Sequence, residues 1–324
     1  MRAGRRGAIA FILVLAAALT GATACSQSPS EHVGVDHSAD TGSLGYCRTT
    51  TCAPPVGYPY PDGTCEPDDW SESPTCTSKG ESNAPLWWSN SCVGYDLNQA
   101  ASRNVPYAQF SAAAQAAFQA WTGATCGSAA PTGSTRPSID VRDLGPVPCA
   151  SAYYDSSGPN QNVIVFHDDA WPYEAANRAA TDTPKSLEVA LTTVTFDPDS
   201  GEIFDADVEL NSADYTIAPL SEDAGAADGP AGETFDLQAI LTHELGHFLG
   251  LAHSPLPDAV MNASGDSDTS SPKRTLRLED TLAICAVYPA DGTRAVSTIV
   301  SPAGSTPAGV CDPTPRHGFS PTCP

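Results

Sequence analysis

Eleven residues, His243-Glu244-Leu245-Gly246-His247-Phe248-Leu249-Gly250-Leu251-Ala252-His253, constrain this chain more than any other stretch of it. His243 and His247 stand four apart, so on a helix both imidazoles leave the same face. Their nitrogens then lie where a tetrahedral metal at about 2.0–2.1 Å can take both. Glu244 falls beside such a metal, where it can take a proton from a water molecule. Gly250 tolerates positive φ, so the helix can stop there and the chain can turn, bringing His253 back as a third ligand. Three protein ligands leave a fourth position open, the mark of a catalytic zinc site.

The surrounding chain is long enough for one large domain with additions. It has 324 residues, 41% of them hydrophobic, with 29 Pro and 26 Gly that imply long loops around the core. Aromatic and apolar residues begin at Leu86-Trp87-Trp88 and continue through Cys92 to Leu97, as in a strand region. Ser111 to Trp121 is Ala-rich and carries Phe110, Ala114, Ala117, Phe118 and Trp121 at helical spacing. Ile139 to Val141, Val163 to Phe166 and Leu187 to Phe196 read as strands. Asp197-Pro198-Asp199-Ser200-Gly201-Glu202 is turn chemistry, so Ile203 to Leu210 should return as the second arm of a hairpin. An acidic loop at 218–233 precedes a helix from about Asp236 to Leu249, with Thr234 or Asp236 as N-cap, and a second helix follows at Leu278 to Val287.

The net charge is -23, from 38 acidic and 15 basic residues, which argues against a nucleic-acid partner. Arg2, Arg5 and Arg6 precede an apolar run from Ala8 to Leu19 that is short for a membrane span, and Ala22-Thr23-Ala24 is a small-residue cleavage site. Residues 1–24 therefore read as an export signal, outside the fold. Cys25 follows directly, and Leu19 to Cys25 is similar to a bacterial lipobox, which makes Cys25 a lipidation candidate and a route to membrane attachment. The location expected is exported, either a cell-envelope lipoprotein or extracellular. Removing Cys25 from the 11 Cys leaves an even set for disulfides. Residues 25–45 form a polar tether, 46–84 a small Cys-rich segment, 85–290 the catalytic domain, and 291–324 a Pro/Ser/Thr-rich tail. In that tail Cys311 and Cys323 are expected to close a local disulfide loop.

The eleven-residue run resembles the extended zinc-binding motif of the metzincin metallopeptidases, and Ser254 directly after His253 is similar to the matrixin branch. Met261, in Asp258-Ala259-Val260-Met261-Asn262, has the matrixin spacing of the Met-turn beneath the metal. The resemblance covers about residues 85–290 and implies an α+β fold: a twisted mixed sheet, an active-site helix and a Met-turn, preceded by the Cys-rich segment. It implies a secreted endopeptidase that hydrolyses peptide bonds through a zinc-activated water with Glu244 as general base. The strand from Leu187 would line the cleft, with Val189, Ala190, Leu191 and Thr192 along the substrate.

The chain departs from the family in three places. His167, with Asp168 and Asp169, is too little for the second, structural zinc of vertebrate matrixins, so a single catalytic Zn2+ is expected. Calcium is the other cofactor weighed, because of the acidic turns. Asn262-Ala263-Ser264 replaces the Pro-x-Tyr that walls the specificity pocket, and no cysteine-switch context is present, although segment 46–80 could block the cleft. The partner expected is a protein or peptide substrate, with a monomer as the default state. The rival reading is a catalytically silent metzincin fold serving binding or adhesion.

Overall fold

The computed structural model describes residues 9–16, 46–51, 56–58, 84–127, 135–173, 188–220, 234–263, 273–290 and 312–323. Its main sheet is assembled from β1 (Ile9–Ala16), β4 (Cys92–Asn98), β5 (Asp140–Val147), β6 (Val163–Phe166), β7 (Glu188–Phe196) and β8 (Ile203–Leu210). Two small pairings stand apart from it, β2 (Tyr46–Arg48) with β3 (Val56–Tyr58), and β9 (Thr216–Ala218) with β10 (Thr234–Asp236). The helices are α1 (Tyr107–Thr122), α2 (Leu237–Phe248) and α3 (Leu278–Val287). Strand order in the main sheet is β1-β7-β8-β6-β4-β5, parallel from β8 to β5 and antiparallel at β7. This is the mixed-sheet α+β architecture expected from the resemblance.

Alternation along the strands builds the core. Val93, Tyr95 and Leu97 of β4 and Ala206, Val208 and Leu210 of β8 pack with Phe110, Ala114, Phe118 and Trp121 of α1 and Leu241, Leu245 and Phe248 of α2. The helical spacing that predicts α1 is the spacing that buries it; the helix opens after Pro106, whose ring presets φ at -61°. The hairpin also forms as expected. Asp197 Oδ1 accepts the amides of Asp199 and Ser200, and Gly201 turns the chain at φ 73°. Leu86, Trp87 and Trp88 lie outside β4, in isolated bridges and side-chain contacts beside the hairpin.

The opposite sheet face is acidic and still buried. Asp207 accepts the amides of Tyr153 at 2.9 Å and Val163 at 2.7 Å, holding the connection before β6 against β8. Glu209 takes the His167 ring at 2.7 Å and the Tyr173 hydroxyl, which ties the residue after β6 into this face. Asp168 accepts Ser102, Ser212 and the Arg103 amide.

One finding corrects the sequence reading. Cys323 is bonded to Cys149, 174 residues away, and not to Cys311 in a local loop; Cys311 lies outside the described residues. The tail therefore crosses the acidic sheet face, with Phe319 against Val147 and Val163. A second disulfide, Cys126–Cys285, ties the end of α1 to α3. Ile9–Ala16, the apolar run expected to belong to an export signal, lies in this structure as a strand antiparallel along β7. An edge strand with unpaired backbone groups accepts such an extended apolar segment readily. Cys25 lies outside the described residues, and among those described no helix is long and apolar enough to cross a membrane. The disulfides fit an exported protein.

Asp96 of β4 is fully buried, and neither carboxylate oxygen has a hydrogen-bond partner among the described residues. Burial, and secondarily Asp143, push its pKa from 3.8 to about 7. The folded protein therefore holds a proton that the unfolded chain has lost, so this group costs stability progressively as pH rises from about 4 to about 7. Asp96→Asn should raise the unfolding free energy at pH 8 by on the order of 2 kcal/mol and leave it nearly unchanged at pH 4. Urea unfolding at the two pH values measures this.

Candidate active site

The site begins with the end of α2. Asp236 caps the helix start by accepting the Gln238 amide at 3.1 Å, the cap read from the sequence. At the other end the Gly250 amide reaches the His247 carbonyl at 2.9 Å and the Leu251 amide reaches the Gly246 carbonyl at 3.0 Å. That pair of bonds is a Schellman motif, and it requires the positive φ of Gly250, 91°. A Cβ on Gly250 would lie 2.5 Å from the Leu86 carbonyl oxygen, so the position is closed to other residues on space as well. Aromatic donors fix the helix from three sides. Trp121 Nε1 donates to the Thr242 carbonyl at 2.7 Å, Trp88 Nε1 to that of Phe248 at 2.8 Å, and the Tyr288 hydroxyl to that of Leu249 at 3.0 Å.

His243, His247 and His253 come together as the spacing predicts. The Nε2 atom of His247 is 3.2 Å from that of His243 and 3.1 Å from that of His253. Two of the outer ring nitrogens are committed elsewhere: His243 Nδ1 donates to the Val260 carbonyl at 2.7 Å and His247 Nδ1 to the Leu251 carbonyl at 2.8 Å. A carbonyl can only accept, so these rings carry their proton on Nδ1 and present a lone pair on Nε2. Burial, then the neighbouring imidazoles for His243 and His253, depress all three pKa values, that of His247 to about 4. The three rings are neutral at physiological pH.

Lone pairs directed at one another across 3.1–3.2 Å repel unless a cation lies between them. Ligands at about 2.0–2.1 Å from a tetrahedral zinc stand roughly 3.4 Å apart, close to the spacing seen. The donor set thus fits zinc, and among the described residues this trio is the group whose ligand atoms converge.

Glu244 is fully buried beside the trio. Its Oε2 accepts the Thr192 hydroxyl at 2.6 Å, whereas Oε1 has no hydrogen-bond partner among the described residues. Burial raises its pKa to about 8, and the Thr192 bond acts in the opposite direction. Val189, Ala190, Leu191 and Thr192 lie on β7 as expected, with its outer edge paired to β1. The role of the Thr192 hydroxyl escaped the sequence, because no pattern relates a strand residue to a helix residue 52 positions away.

Met261 lies under α2. The Ser254 amide donates to its carbonyl at 2.7 Å, and Asp280 of α3 accepts the amides of Val260 at 2.9 Å and Met261 at 3.3 Å. Asp280 thereby holds the carbonyl that orients His243. Gly246 makes this seat fit: a Cβ there would lie 2.2 Å from Met261 Sδ and 2.9 Å from Trp121 Cζ2.

Residues 148–289 match the Matrixin family model, which supports a metzincin-type, matrixin-like domain there. The matrixin family suggests zinc metallopeptidase activity. No curated protein matches the chain.

Gly246→Ala should displace Met261 from its seat, destabilising the protein by about 1–3 kcal/mol and loosening zinc binding. Thermal unfolding with and without excess chelator measures both effects.

Proposed function

With the matrixin-like domain as premise, we propose that this chain is an exported zinc-dependent endopeptidase in which His243, His247 and His253 hold one metal ion and Glu244 is the general base. The observation that carries the reading is the pairing of three neutral, converging imidazoles with a carboxylate anchored, among the described residues, through one oxygen. Zinc held there would supply Lewis acidity, polarising the scissile carbonyl and acidifying the attacking water.

The rest falls to the chain itself. Glu244 takes the water proton on Oε1 and passes it to the departing amine, while Thr192 keeps the carboxylate from swinging away. The substrate lies as an extended strand along β7, at Val189, Ala190, Leu191 and Thr192. The antiparallel register of β1 on β7, from Ile9 opposite Phe196 to Ala16 opposite Glu188, supports this, since that edge accepts an extended segment. Cleavage of the export signal before Cys25, with lipid on that cysteine, would remove β1 and open the edge. Met261, packed against Gly246 of α2, would serve as the Met-turn beneath the histidines that would hold the metal.

Glu244→Ala should retain zinc and lose cleavage of an unfolded protein substrate by about 100- to 10,000-fold. Loss of zinc along with activity would contradict the assignment of Glu244 as base. Unchanged cleavage would refute it outright, and a folded, zinc-loaded wild type that cleaves nothing would favour the binding or adhesion reading. Thr192→Val removes the bond that favours the ionised carboxylate, so the Glu244 pKa rises. The acid limb of the kcat/KM–pH profile should then move to higher pH.

A further inference from the structure

We infer that Thr49, in the Cys-rich segment before the catalytic domain, is a positioning residue for the metal-binding loop. The inference rests on the reading of His243, His247 and His253 as zinc ligands. The loop that returns the chain from α2 to His253 passes through Gly250, Leu251 and Ala252, and residues 47–49 pair with it. The Thr49 amide donates to the Gly250 carbonyl at 3.3 Å, the Ala252 amide donates to the Cys47 carbonyl at 3.2 Å, and Arg48 and Leu251 form an antiparallel bridge between them.

The side chain of Thr49 adds the specific contact. Its hydroxyl donates to the Leu251 carbonyl at 3.0 Å, the same oxygen that accepts His247 Nδ1 at 2.8 Å. A carbonyl has two lone pairs, and here one is given to the ligand ring and one to Thr49. The hydroxyl thus fixes the acceptor that sets the tautomer and plane of His247, as outer partners of metal-bound histidines do.

The clamp is itself held from behind. The Thr49 carbonyl accepts the Leu86 amide at 2.9 Å, the Arg48 guanidinium donates to the Leu86 carbonyl, and Cys47 is disulfide-bonded. Thr49 is 2% exposed. Residues 46–51 therefore lie behind the metal-binding loop as part of its support, and not across the cleft as a blocking segment.

The test is the zinc dissociation constant of the full chain, measured by competition with a chromophoric chelator. Thr49→Val should weaken zinc by about 10- to 100-fold, and Thr49→Ser should restore wild-type affinity. Thr51 provides the control, since its buried hydroxyl bonds the Ala84 amide in the same segment. Thr51→Val should cost comparable thermal stability and leave zinc affinity within about twofold, because it leaves the Leu251 carbonyl untouched. Thr49→Ala removes the same donor and replaces Thr49→Val if that variant does not fold. Wild-type affinity in the Thr49 variants, or equal weakening by Thr49→Val and Thr51→Val, overturns the inference. A wild type that binds no zinc overturns the ligand reading beneath it.

Discussion

Three imidazole lone pairs brought to one point form an arrangement that neutral, buried rings do not adopt unaided, and the rest of the structure is organised to impose it. In water each ring would turn its nitrogen toward solvent. Here the Val260 and Leu251 carbonyls capture the Nδ1 protons of His243 and His247, so each Nε2 must face inward. The histidine trio is therefore as rigid as the two carbonyls. Asp280 secures the Val260 peptide from α3, and residues 47–49 secure the Leu251 peptide from the N-terminal side. Segments far apart in the chain thus converge on two backbone oxygens.

The helix that bears two of the rings is restrained with equal care. Its last carbonyls would be unpaired at a helix end, and they are taken by the Gly250 and Leu251 amides, Trp88 and Tyr288. Each donor belongs to a part of the chain that is buried for its own reasons. The helix cannot shift along its axis without breaking the packing of the core. Gly246 and Met261 extend this to the underside, where a missing side chain makes room for a methionine in direct contact with the helix.

The sheet contributes through β7, the antiparallel strand between β1 and β8. One of its residues, Thr192, anchors the carboxylate of α2, which couples the proposed general base to the strand proposed to carry substrate. The other face of the sheet has a structural task. Its carboxylates bind loop amides, a histidine and a tyrosine, and the tail bonded through Cys149–Cys323 covers part of it. Asp96 differs in that neither of its carboxylate oxygens has a hydrogen-bond partner among the described residues.

Local periodicity and turn chemistry were legible from the residues alone. The i, i+4 histidines, the glycine at positive φ, the Asp236 cap, the amphipathic face of α1 and the β7–β8 hairpin all depend on neighbours within a few positions, where helix and strand geometry is set by backbone sterics. The family resemblance extended that reading to a mixed sheet with an active-site helix. What stayed hidden was every contact made across the fold: Thr192 with Glu244, Thr49 with the Leu251 carbonyl, Gly246 over Met261, Cys149 with Cys323, and β1 along β7. The expected Cys311–Cys323 loop failed for the same reason, since nearness in sequence was taken for nearness in space. Sequence alone determined which side chains could bind a metal and carry a proton, because those properties belong to the residues and their spacing. Tertiary structure decided which oxygen atoms hold those side chains in place, because a hydrogen bond depends on distance and angle, and only packing sets these between segments 50 to 200 residues apart.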